Sequence, residues 1–107
     1  MIIIENEEHF NQIFDAKKNE KLILAYFTAK WCGPCQRIAP IVTEFSEQFA
    51  EKFEFLKIDL DENEEISDRF NVDCIPTFLV FKKWVTLNFF EIFKFRATFF
   101  AGKLSKL

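Results

Sequence analysis

Between Leu22 and Cys35 the chain reads LILAYFTAKWCGPC, and no other stretch restricts the fold as much. Leu22 to Phe27 is an apolar run rich in Leu, Ile and aromatics, the pattern of a buried strand. Within a few residues it gives way to Trp31-Cys32-Gly33-Pro34-Cys35. After Cys35 the apolar residues Ile38, Ile41, Val42, Phe45 and Phe49 recur at helical spacing. A buried strand therefore hands over to a long amphipathic helix, and both thiols fall on its first turn.

That position gives the thiols their chemistry. The first N–H groups of a helix have no intrahelical partner, and the summed peptide dipole places about half a positive charge there. Both stabilise a thiolate, the species that attacks disulfides and binds metals. Cys32, at the exposed edge of the turn, is expected to attack. Cys35, one turn further in, can reach it and is expected to resolve. Gly33 permits close backbone approach, and Pro34 fixes φ in the first turn, where its missing N–H costs nothing.

Two other uses of the cysteines are open to the same residue types. Cys32, Cys35, Cys74 and His9 would nominally complete a zinc set, but no second C-x-x-C exists and a helical pattern follows Cys35 directly, so no metal is expected. A purely structural disulfide is weaker still, because three cysteines is an odd count and a 107-residue chain that is 50% hydrophobic needs no staple.

Trp31-Cys-Gly-Pro-Cys35 after an apolar strand resembles the active site of the thioredoxin family. The resemblance implies an α/β chain with the thioredoxin fold, a central mixed β-sheet flanked by helices. It also implies a protein disulfide oxidoreductase that needs no cofactor of its own, reduces disulfide-containing proteins and maintains cell redox homeostasis. Its electrons would come from a thioredoxin reductase or a similar dithiol donor. Ile75-Pro76-Thr77 matches a second family motif, in which the X–Pro bond is cis and faces the redox turn. On that match Ile75–Pro76 is expected to be cis, its bend offering edge hydrogen bonds to an extended substrate, with Ile75 and Trp31 flanking the cysteines. A runner-up from another class is a binding module that keeps the fold and holds partners on this apolar ring, with weak redox turnover.

The whole chain sets further bounds. Its length suits one domain, residues 1–107. The net charge of −3 gives no case for nucleic acid, and no run of about 18 apolar residues would span a bilayer. Met1 to Ile4 is too short, and too soon followed by Glu5, for a signal peptide. A cytoplasmic monomer is the expectation.

In order, Ile2 to Ile4 reads as a first strand and Glu7 to Lys18 as a helix capped by Asn6, with His9 solvated in its first turn. Pro40 should kink the long helix. Phe53 to Asp59 alternates as a third strand. Asp61 to Glu65 reads as a solvated acidic face leading into a short helix, Asn63 to Phe70, and Thr77 to Phe81 as a further strand.

Three departures from the family stand out. Tyr26 occupies the place where most members bury an aspartate beneath the second cysteine, and Lys57, which matches the lysine beside that acid, remains without it. Tyrosine is a poor base at neutral pH, so a slower or more pH-dependent resolving step is one reading; a core filler is the other. Composition also changes at Lys82: residues 1–81 carry 8 basic and 16 acidic side chains, residues 82–107 carry 6 and 1. In this divergent tail Phe93, Phe95, Ala97 and Phe99 suit a strand, although Phe89, Phe93, Ala97, Phe100 and Leu104 also fit a helix face; strand is preferred. Gly102 is the candidate for the glycine that lets a family substrate approach the sulfurs, and six phenylalanines here expose the chain to self-association. Finally, Cys74 directly precedes Ile75-Pro76. It is expected at the exposed rim of the docking surface, where it would join two molecules through a disulfide on oxidation, burial as a small hydrophobe being the alternative.

Overall fold

The computed structural model describes residues 1–84 and 89–96. Chain order is β1 (Ile2–Ile3), α1 (Glu7–Lys17), β2 (Leu22–Thr28), α2 (Gly33–Gln48), β3 (Phe53–Asp59), α3 (Glu64–Arg69), β4 (Thr77–Trp84) and β5 (Phe89–Arg96). The strands form one mixed sheet in the order β1-β3-β2-β4-β5. β3 runs parallel to both β1 and β2, while β4 is antiparallel to β2 and β5.

β2 lies at the centre of this sheet, which explains its unbroken apolar reading: both of its faces are covered. Ile23, Ala25 and Phe27 join Leu56, Ile58, Leu79 and Phe81 on one face, against Phe10 of α1 and Ile66 of α3. Leu24 and Tyr26 join Phe53, Phe55, Phe78 and Val80 on the other, against Val42, Ile38 and Phe45 of α2. The period-2 alternation of each strand thus builds a three-layer sandwich. On the first face the rings of Phe10, Phe14, Phe70 and Phe81 meet edge-on, tilted or stacked at centroid separations of 5.2–6.4 Å.

The helix starts follow from their caps. Asn6 Oδ1 accepts the His9 N–H at 2.8 Å, as its side chain and position lead one to expect, and Glu7 and Glu8 occupy the first turn. His9 is half-buried, and its Nδ1 accepts the Glu5 N–H at 3.0 Å. α2 continues through Pro40 to Gln48 as one helix.

Other expectations shift. Ile41, placed on the apolar stripe by spacing, is 47% exposed, because the buried stripe passes through Val42 and Ser46 instead. β1 stops at Ile3, although Ile4 is fully buried beneath the sheet edge. β4 extends three residues beyond Phe81, because Lys82, Lys83 and Trp84 are paired with Glu91, Phe90 and Phe89. The tail expectation of a strand holds for residues 89–96, and the helical alternative fails there. Ala97, Phe99, Phe100, Gly102 and Leu104 lie outside the described residues.

Candidate functional site

The carboxyl ends of β2 and β3 and the amino end of α2 meet at one corner of the sheet, and both cysteines are there. Cys32 is the N-cap of α2, with extended backbone (φ −83°, ψ 111°), and its Sγ accepts the Cys35 N–H at 3.2 Å. A sulfur takes the capping role usually filled by a side-chain oxygen. The two sulfurs are at disulfide distance, with Cα atoms 5.2 Å apart.

Cys32 departs from its expected exposure. It is 4% exposed, scarcely more than Cys35 at 1%, since Ala29 and Ile75 pack against both. The spacing that placed Cys32 at the helix edge says nothing about what the rest of the chain lays over that edge. The difference between the two thiols therefore resides in the capping hydrogen bond rather than in accessibility.

Around the pair, Trp31 is 66% exposed yet anchored, its Nε1–H donating to Asp61 Oδ2 at 2.8 Å. No local signal links these residues, thirty positions apart, and Asp61 had read only as part of a solvated acidic face. Gly33 uses none of its conformational freedom, since its φ is not positive; a Cβ there would meet only the Arg37 guanidinium at 3.6 Å. Gly33 and Pro34 are both exposed, leaving a bare strip of backbone beside the sulfurs.

Ile75–Pro76 is cis, and Ile75 lies against the cysteine cluster, so this bend faces the redox turn. Thr77 is fully buried and its hydroxyl donates to the Cys74 carbonyl at 2.6 Å, closing the bend. Cys74 is free and half-buried, between the two expectations for it, with its Sγ 3.8 Å from Thr77 Oγ1.

Beneath Cys35 lies a cleft of about 290 Å³ walled by Tyr26 and Thr28 of β2, Lys57 and Asp59 of β3, and Cys35, Gln36 and Ala39 of α2. Tyr26 is 2% exposed and stacks on Phe78, ring centroids 5.1 Å apart. Its hydroxyl reaches Thr28 Oγ1 at 3.3 Å and the Cys35 carbonyl at 3.5 Å. Burial pushes the phenol pKa up from its ordinary 10.0, only partly opposed by the Thr28 hydrogen bond. Tyr26 and Lys57 face each other across β2 and β3, as do Thr28 and Asp59. Among the described residues Lys57 makes no ion pair. Nor do the described residues contain three or more His, Cys, Asp or Glu side chains grouped to hold a metal.

A strand-to-helix thiol pair, capped by its own first sulfur and covered by a cis-proline bend, is a disulfide-exchange site. A family model described as Thioredoxin matches residues 1–91. The chain belongs to the thioredoxin family. Thioredoxin from Bacillus subtilis (strain 168) is 44% identical over 72 residues, 67% of this chain and 69% of the relative. Thioredoxin H-type from Oryza sativa subsp. indica is 41% identical over 83 residues, 77% of this chain and 67% of the relative. Among solved structures, Fasciola hepatica thioredoxin superposes with a TM-score of 0.84 at 28% identity, covering 99% of this chain and 98% of that one. The germline-specific thioredoxin Deadhead from Drosophila melanogaster gives 0.85 at 27%, covering 100% and 99%. The fold is the thioredoxin fold, and with a C-x-x-C pair at disulfide distance the chain is a protein disulfide oxidoreductase. This selects the enzyme over the binding module. No helix among the described residues is long and apolar enough to cross a membrane.

Proposed function

We propose that Cys32 is the attacking thiol and Cys35 the resolving one, in a cytoplasmic thioredoxin that reduces disulfide-containing proteins and is recharged by a thioredoxin reductase or similar dithiol donor. One observation carries the division of labour: Cys32 Sγ is the acceptor at the end of α2, where the Cys35 N–H and the helix dipole both favour a negative sulfur. Cys35, at 1% exposure, is left to act on the mixed disulfide from within.

An extended substrate would lie beside Trp31, Gly33 and Pro34 and against Ile75, Pro76 and Thr77, where the exposed indole is fixed by Asp61 and the bend supplies backbone partners. All 107 residues would act as one domain, the divergent stretch from Lys82 entering it through the pairing of β5 with β4. Cys74, free beside the bend, would join two molecules across this face on oxidation and close it to substrates.

Insulin-disulfide reduction with dithiothreitol tests the reading. Cys32→Ser should abolish turnover, and reduced protein at neutral pH should take up iodoacetamide at Cys32 well before Cys35. Equal alkylation rates at the two positions would refute the assigned roles. Under mild peroxide the wild type should give a dimer on non-reducing electrophoresis that Cys74→Ser does not.

A further inference from the structure

Cys35 must lose a proton before it can attack, and the receiving group has to border the cleft in whose wall Cys35 lies. The titratable groups facing that cleft come from each element around it: Tyr26 from β2, Lys30 from the turn that follows, Lys57 and Asp59 from β3, and Cys35 itself from α2. Gln36 and Ala39, the other α2 residues in the wall, do not titrate. A protonated lysine has no lone pair to offer. Tyr26, with its phenol pushed above the ordinary value by burial, stays protonated through neutral pH.

Asp59 remains. It is half-buried at the end of β3, opposite Thr28, and one oxygen, Oδ1, accepts the Asp61 N–H at 2.9 Å. Oδ2 carries no hydrogen bond among the described residues. The cleft, about 290 Å³, is large enough for several waters at about 30 Å³ each, and the polar groups of Tyr26, Thr28, Lys57 and Asp59 in its wall give them partners. Lys57 stands two residues before Asp59, on the same face of the strand, and places a positive charge in the same cleft wall.

We propose that Asp59 is the proton acceptor for Cys35 in the resolving step, reached through solvent in the cleft between β2, β3 and α2. The proposal rests on the reading that Cys35 resolves. The Cys35 S–H proton passes to the Asp59 carboxylate as the Cys35 sulfur attacks Cys32 Sγ. The bond between Cys32 Sγ and the substrate sulfur breaks as the Cys32–Cys35 bond forms. The substrate sulfur leaves with the electron pair and takes up a proton, which regenerates the Asp59 carboxylate. Because Tyr26 fills the position beneath Cys35 without supplying a base, the acid–base group has moved across the cleft to the neighbouring strand.

Stopped-flow reaction of the reduced protein with the chromogenic disulfide dithiobis(nitrobenzoate) separates the steps, in a Cys74→Ser background so that only the two site thiols are counted. A first release of chromophore reports attack and a second reports resolution. Asp59→Asn keeps an acceptor for the Asp61 N–H, so it removes the base without removing the turn. At about pH 7 it should leave the first phase unchanged and slow the second about tenfold or more, with Asp59→Glu recovering much of the loss. The deficit should shrink as pH rises toward about 9, where an ordinary thiol gives its proton to solvent without a base. A second phase at the wild-type rate, or a deficit that stays constant with pH, would overturn the proposal. A second phase that survives Cys35→Ser would instead overturn the assignment of Cys35 as the resolving thiol.

Discussion

The two faces of the sheet are made by the same three strands and end differently. On the face under α1 and α3, Ile23, Ala25, Phe27, Leu56, Ile58, Leu79 and Phe81 form a continuous apolar core, with Glu54 at one end and the buried Thr77 at the other. On the face under α2 the pattern begins alike, with Leu24, Phe53, Phe55 and Val80, and then turns polar at the carboxyl ends of β2 and β3. Tyr26, Thr28, Lys57 and Asp59 wall the cleft there, and Phe27, between two of them in sequence, points the other way. The acid–base chemistry proposed for this molecule draws on a local break in polarity at one corner of one face. The opposite face contributes chiefly packing, and meets the site through Ile75, which packs on its core and on the cysteine pair.

The strongest test of that contrast is Phe27→Ala. Phe27 is fully buried, and emptying its site should cost about 3–5 kcal/mol in denaturant unfolding while the folded protein alkylates at Cys32 as before. A cost below about 1 kcal/mol would erase the distinction between the faces. Tyr26→Asp should have the next largest effect, about 2–4 kcal/mol, because the ring stacked on Phe78 is replaced by a buried carboxyl. It should also speed resolution of the mixed disulfide near neutral pH; a folded variant that resolves no faster would make Tyr26 packing and nothing more.

Tyr26→Phe is gentler. It keeps the ring and loses the hydroxyl contacts to Thr28 and Cys35, for about 1 kcal/mol. It also sharpens a pH effect whose sign follows from burial. A phenol whose folded pKa is raised above 10.0 holds its proton better folded than unfolded, so its contribution is fully present below that value and is lost as pH rises through the folded pKa. Urea midpoints should therefore fall less steeply in Tyr26→Phe than in the wild type above about pH 10, and parallel curves would remove Tyr26 as the cause.

The smallest effect concerns the edge of the apolar face. Lys94 of β5 donates to the Asn71 carbonyl at 3.0 Å, tying the later strand to the segment that leads into Cys74 and the cis bend. Lys94→Met should change stability by no more than about 0.5 kcal/mol, yet raise the alkylation rate of Cys74 measurably. No change in that rate would show that the segment is held by its own contacts.

The central strand, the capped helices and the redox turn were legible because each has a local cause: an apolar run between covered layers, an Asn followed by acids, a thiol pair at a helix start. Ile75–Pro76 was legible through its resemblance to a family motif, since propensity alone favours trans. What stayed hidden was long-range. Asp59 ends β3 and Asp61 opens the acidic stretch after it, as read from the sequence, but nothing in either position shows that one borders the cleft while the other grips Trp31. Asn63 does start the short helix, as the N-cap of α3; what its position did not show is that it is buried at 3% exposure and uses Nδ2 to reach the Asp59 carbonyl at 3.0 Å, fixing the loop that carries both acids. Ile75, which packs against the Cys32–Cys35 cluster, is more than forty residues away from Cys32 in the chain. None of these pairings leaves a periodic trace.

The sulfur that caps α2 also governs how strongly this protein can reduce anything. A helix end that welcomes a negative Cys32 stabilises the dithiol form relative to the disulfide, and a dithiol made comfortable gives up its electrons less readily. With Cys32 as the proposed nucleophile, the device that makes it reactive is also a thermodynamic brake on the same reaction. Speed of attack and reducing power are set in opposite directions by one hydrogen bond from Cys35, and any change to the first turn of α2 trades one against the other.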